Sequence, residues 1–406
     1  MPRARLASLL LVALVASFAS APLTAQVAAP APAPAPPPAT PGLDFSGVLF
    51  GSYSFQPSTT PNQQPNQNDN SFLLDRAYLT FKMPAGDRTS IRITTDVYPT
   101  TEATSNAYTI RAKYAYLQYA GARFANGASV TGRIGILQNV VIESIEAFWP
   151  RYLSQVSIEK AGYFASADVG LSSIVALPSK MGEVYATITN GPGYQFRERD
   201  RFKDYAIRLS LTPLANDPTR SPLMQNLTLS LWGYKGATAS GFVNGGAAQT
   251  GNIGESIDRS RAGVFVGIRD PRLVIGGEYA QRHDGIEQGA NTVLAPRTVG
   301  STTGRIYSAF TVIRPFAFTN GTGKSPFGLV ARYDQVKPTA SSDNLTPVPV
   351  SDNAYHVVIG GLFYDLSQRA QLALDYQEAL ASNNGTSNAP TSGQTKGYFA
   401  HFNVSF

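Results

Sequence analysis

The chain has 406 residues with a net charge of +6, and Lys, Arg, Asp and Glu together make only 15% of it, against roughly 25% in ordinary soluble domains. Aromatic residues reach 11%, and a hydrophobic share of 43% is too high for general disorder. The absence of Cys excludes a disulfide framework, thiolate zinc sites and a cysteine nucleophile, and three His argue against a histidine-rich metal centre.

At the N-terminus Arg3 and Arg5 precede a short apolar stretch, Leu6 to Phe18, and small residues follow at Ala19, Ala21 and Ala25. This is the pattern of a secretory signal peptide over residues 1–25, with cleavage after Ala21 or Ala25. Either cleavage removes both arginines and lowers the net charge to +4. Residues 26–42 alternate Ala and Pro, which can neither pair in a sheet nor bury a core, so they form an extended periplasmic spacer. Beyond the signal no run approaches the ~20 apolar residues of a spanning helix.

From residue 43 to 406 the dominant period is two. Ile91, Ile93 and Val97 alternate with Arg92, Thr94 and Asp96; Leu227, Leu229 and Leu231 alternate with Thr228 and Ser230. Strands are predicted over 43–55, 71–82, 89–98, 108–119, 128–137, 162–177, 183–190 and 203–214, then over 225–235, 261–269, 272–282, 303–313, 326–336, 354–364, 370–379 and 396–406. Connections after odd-numbered strands are mostly long and rich in Asn, Ser, Thr and Gly; those after even-numbered strands are mostly short, as at Asp270-Pro271. An even number of strands with long loops on one rim and tight turns on the other predicts an all-β, 16-stranded antiparallel transmembrane β-barrel over 43–406. A soluble sandwich would carry dense Lys and Glu on its polar faces, whereas here Thr, Ser, Gly, Tyr and Arg stand there, and Tyr or Phe marks many strand ends. The last strand sets Tyr398, Phe402, Val404 and the terminal Phe406 on one face, a pattern resembling the C-terminal signal read by the barrel assembly machinery.

Between the fifth and sixth strands, Ile142, Ile145, Trp149 and Tyr152 fall at helical spacing, with Glu143 and Glu146 on another face and Pro150 as a stop. A long connection with its own helix at this place resembles the third loop of porins, which folds inward and narrows the barrel; Glu143, Glu146 and Arg151 are its candidate constriction residues. Parity directs Arg76, Arg92, Arg111, Lys113, Arg133 and Arg208 into the lumen, the first five from four consecutive strands. Two alternatives stay open: a basic wall that favours anions, or neutralisation by Asp96, Glu278, Asp334, Asp375 and the loop glutamates. Parity itself is ambiguous on the fourth strand, and Asp75 on the second falls on the lipid-facing set unless a bulge intervenes.

The stretches 71–82 (SFLLDRAYLTFK), 133–138 (RIGILQ), 187–193 (TITNGPG), 205–213 (YAIRLSLTP), 328–336 (GLVARYDQV) and 360–376 (GGLFYDLSQRAQLALDY) resemble the phosphate-selective porin O and P family of Gram-negative bacteria. The resemblance implies a sixteen-stranded, trimeric pore with a constricting third loop, and makes Arg76 and Arg133 lumen arginines. The chain departs from the family where a basic residue commonly follows the turn into the third loop, since Ile136, Leu137, Gln138 and Asn139 stand there. The functional expectation is an outer-membrane porin for small hydrophilic solutes and ions, anion-preferring and open to phosphate-like anions. Its partners are the lipid bilayer, lipopolysaccharide and the assembly machinery, and its assembly a homotrimer. The alternative is a structural or adhesive barrel without an open channel. No enzyme, cofactor, metal or nucleic-acid partner is called for, because no serine is marked as a nucleophile and His283 with Asp284 sits at a loop edge.

Overall fold

A computed structural model describes residues 42–56, 69–99, 107–198, 200–239, 256–288, 298–320, 322–343, 354–381 and 396–406. The signal peptide and nearly all of the spacer lie outside these residues. The strands are β1 Asp44–Gln56, β2 Asp69–Gly86, β3 Thr89–Pro99, β4 Tyr108–Arg123, β5 Ser129–Gln138, β6 Ala167–Ala176, β7 Gly182–Thr189 and β8 Asp204–Leu211. They continue as β9 Leu227–Ala239, β10 Ser256–Arg269, β11 Leu273–Gln288, β12 Thr298–Ile313, β13 Phe327–Asp343, β14 Tyr355–Asp365, β15 Ala370–Ala381 and β16 Lys396–Ser405. Each pairs with its sequence neighbours, and β1 pairs antiparallel with β16 to close a sixteen-strand barrel. Closure leaves no free sheet edge, so every strand satisfies its backbone groups without water.

The two faces are inverted relative to a soluble sandwich. Ile134, Ile207, Leu231 and Leu374 are each at least half exposed on the outside, while Asp96, Arg208, Arg332 and Asp334 are buried on the inside. Such an arrangement is stable only where the outer solvent is hydrocarbon. Two bulges settle the parity questions. On β2 the pairing passes from Phe50↔Arg76 to Gly51↔Leu74 and leaves Asp75 as the extra residue. On β4 it passes from Thr94↔Tyr114 to Thr95↔Ala112, so Lys113 is the extra residue and Tyr114 and Tyr116 turn inward with it.

Several strands run further into the long-loop rim than the sequence reading, as β10 from Ser256, β11 to Gln288 and β13 to Asp343, and two are shorter than predicted. The sixth strand begins at Ala167, not 162, because Ser157–Lys160 forms a second short helix and the following Tyr163 is fully buried beneath the loop. The eighth ends at Leu211, before Thr212-Pro213, where proline cannot donate to the ladder.

Candidate constriction zone

The connection between β5 and β6 runs into the barrel instead of away from it. Asn139 starts the turn, its Oδ1 accepting from the backbone of Val141 at 2.9 Å and of Ile142 at 3.3 Å. Helix α1 (Ile142–Glu146) follows, and α2 (Ser157–Lys160) comes after the Pro150 turn. The apolar stripe is driven inward by what it meets: Ile142, Ile145 and Trp149 are 1% exposed or less and pack on an apolar inner wall that includes Phe265, Phe310 and Ile359. Trp149 meets Phe310 edge-on at 5.4 Å and Phe148 meets Phe265 at 4.9 Å.

Wall side chains also hold the loop by its backbone. Tyr185 Oη donates to the Gln138 carbonyl at 2.9 Å, Arg332 to Gln155 at 2.6 Å and Gln377 to Leu153 at 2.8 Å. Arg208 donates to the Val140 carbonyl. Inside the loop Arg151 bridges Glu146 and Glu159, the latter at 2.6 Å. Burial pushes the Glu146 carboxyl up, against the pull of Arg151 and Lys113, and burial lowers the Lys160 ammonium.

The opposite wall, β2 to β5, carries Arg76, Arg92, Arg111, Lys113 and Arg133. Asp96 is shared by Arg76 at 2.9 Å and Arg111 at 3.0 Å. Aromatic rings fix the cations: Arg111 lies over Tyr98 at 3.8 Å and Tyr194 at 4.6 Å, Lys113 over Tyr78 at 4.2 Å, Arg92 over Tyr114 and Arg133 over Tyr116, both at 4.9 Å. Arg133 also donates to Gln118 and Gln138. The loop acids stand against this wall, Glu146 near Lys113 and Glu143 at Tyr114. Cations on the wall and carboxylates on the loop set a field directed from one to the other.

Arg208 does not join this group. It lies on β8, 6% exposed, bonded to the loop and to Glu183. Several inward cations escaped the sequence reading: Arg259 and Arg261 on β10, Arg282 on β11, and Arg332, which with Asp334 forms a pair 1% exposed on both sides. On β10 the alternation Ile257, Arg259, Arg261, Gly263, Phe265 was the signal, and Arg259 was cut off because the predicted strand began at 261; Arg261, Arg282 and Arg332 stand within predicted strands, where alternation with their neighbours was the available signal. Asp375 lies 2.8 Å from His401 inside the barrel. Of the residues whose pattern suggests an assembly signal, Tyr398, Phe402 and Phe406 are exposed on the outer face. Among the described residues no group of three side chains is arranged to hold a metal ion.

No family model matches the chain and no curated protein matches it in sequence. Its fold is that of solved outer-membrane barrels. OmpF of Salmonella typhi, in complex with daunomycin, shares 11% identity over 90% of this chain and 97% of its own, with a TM-score of 0.59. The outer membrane channel DcaP of Acinetobacter baumannii gives 10%, 91%, 99% and 0.58, and an anion-selective porin from Comamonas acidovorans gives 12%, 90%, 100% and 0.55. At such identities the likeness is one of fold. The closed sixteen-strand barrel with its apolar exterior places the protein in the outer membrane of a Gram-negative bacterium.

Proposed function

We propose that the protein is a porin for passive diffusion of small hydrophilic solutes and ions, with a preference for anions, phosphate-like anions among them. The observation that carries this reading is the row of ring-held cations on β2 to β5 facing Glu143 and Glu146. A guanidinium held flat on a ring keeps its fork of donors aimed at whatever passes, and it offers most to planar or tetrahedral oxyanions. Export by the N-terminal signal, insertion by the barrel assembly machinery through the last strand, contact with lipopolysaccharide and assembly as a homotrimer complete the proposal.

The test is Arg111→Glu combined with Arg133→Glu in planar bilayers under a salt gradient. The reversal potential is expected to move toward cation selectivity, while Arg197→Glu, in the β7–β8 loop, moves it far less. Equal shifts, or none, would remove the anion preference. A second reading, a structural or adhesive barrel, is favoured by the packing of the loop stripe against the apolar inner wall; absence of any conductance in the unmodified protein would remove the channel reading and leave this one.

A further inference from the structure

We propose that the outer face of β10 to β13 docks a phosphorylated, acylated glycolipid of the outer leaflet, with its phosphate on Arg305 and Lys337 and an acyl chain in the groove below them. This gives the lipopolysaccharide contact a place and rests on the membrane setting of the barrel, not on conduction.

Outward residues climb β11 from its short turn as Leu273, Ile275, Gly277 and Tyr279, and then become Gln281 and His283; on β12 they run Ile313, Thr311, Ala309, Tyr307 and then Arg305. The change from apolar to polar falls within two neighbouring rungs of β11 to β13: Gln281 pairs with Arg305 and Arg305 with Lys337, and on β13 Gln335 already stands opposite Tyr307. Directly beneath are Tyr279 and Tyr307, 5.0 Å apart, and one rung lower Tyr333, opposite Ala309, bonds His356. Tyrosine at the top of an apolar band marks the level of the headgroups. This is the end carrying the long connections, hence the outer leaflet. Arg305 and Lys337 therefore stand where lipid phosphates lie, and among the described residues no carboxylate pairs with either.

Below the tyrosines the surface is hollowed. Gly277 and Ala309 are paired neighbours whose small side chains leave a groove of about 680 Å³ between Val264, Val266, Tyr279 and Tyr333. A ridge of bulky side chains would have served a featureless lipid contact equally well. Two cations on adjacent strands above an apolar channel match one amphiphile, a phosphate monoester joined to saturated chains.

The folded protein in detergent, with bound lipid counted by native mass spectrometry, tests the proposal. Three probes are needed: the acylated glucosamine disaccharide bisphosphate of lipopolysaccharide, the same lipid with both phosphates removed, and inorganic phosphate. The bisphosphate lipid should bind one to one, and loss of its phosphates should weaken binding by about tenfold or more. Arg305→Gln with Lys337→Gln should do the same. Gly277→Leu should weaken binding by filling the groove; a Cβ there meets the Ser308 carbonyl at an ordinary 3.6 Å, so the barrel accommodates it. Equal binding of the dephosphorylated lipid, undiminished binding by the double variant, or displacement of the lipid by millimolar inorganic phosphate would each overturn the proposal. The readout contains no current, so its failure is separate from a failure of the channel reading.

Discussion

Asp96 is 1% exposed and serves two guanidinium groups with one carboxylate oxygen, Oδ2. One negative charge can orient both arginines without cancelling them, so the pair keeps a net positive charge on the inner wall. Asp96→Asn keeps the shape and removes the counter-charge. The expected result is a stronger anion preference, read as a reversal potential moved further toward the chloride equilibrium potential. It should come with a loss of stability of about 3 kcal/mol, since one partner of a buried pair is removed; partial exposure of Arg76 and Arg111 holds the cost at that lower end. A shift toward cations would mean that the wall is not what solutes sense. Alternation alone placed Arg76, Asp96 and Lys113 on one face, but the inward turn of Tyr114 and Tyr116 and the place of Asp75 follow from bulges whose positions alternation does not give.

The inward connection is the one element whose position owes little to hydrogen bonds of its own. Helix α1 is a single turn, below the length at which a helix is stable alone, so its place depends on Trp149 and its neighbours meeting the barrel wall. Trp149→Ala should cost about 3–5 kcal/mol if the site cannot collapse. The same change should loosen the loop and raise single-channel conductance with added current noise; unchanged conductance together with unchanged melting would show that the polar pins from Tyr185, Arg332 and Gln377 suffice. The helical stripe and its acids were legible at i, i+3 and i+7 spacing. Its docking partners were not, because Arg332 meets Gln155 across 177 residues and Gln377 meets Leu153 across 224, and period-two patterning carries no information about such distant pairs. The helix also stops at Glu146, ahead of the Pro150 that marked its expected end.

At the scale of the whole barrel, the strands were readable because a pleat between hydrocarbon and a polar interior forces alternation on every one of them. Closure depends on a single seam. Gly47 and Phe406 exchange two backbone hydrogen bonds at 2.9 and 3.0 Å, and the Phe406 ring lies over Gly47 as the Phe402 ring lies over Gly51. A Cβ at either glycine would sit within 2.3 Å of a ring atom, so the aromatic residues of β16 and the bare backbone of β1 fit only each other. Deleting Phe406 removes both hydrogen bonds, about 1 kcal/mol each, and uncovers Gly47; Phe406→Ala keeps the bonds and removes only the ring. If the terminal aromatic is read during assembly, both changes should lower the amount of protein inserted in cells, measured as the protease-resistant, heat-modifiable fraction. If only the deletion does so, closure of the seam is what matters and the ring is not a signal. Normal insertion by both would mean that the remaining β1–β16 pairs, from Val48↔Ser405 to Phe55↔Tyr398, close the barrel without help from its last residue.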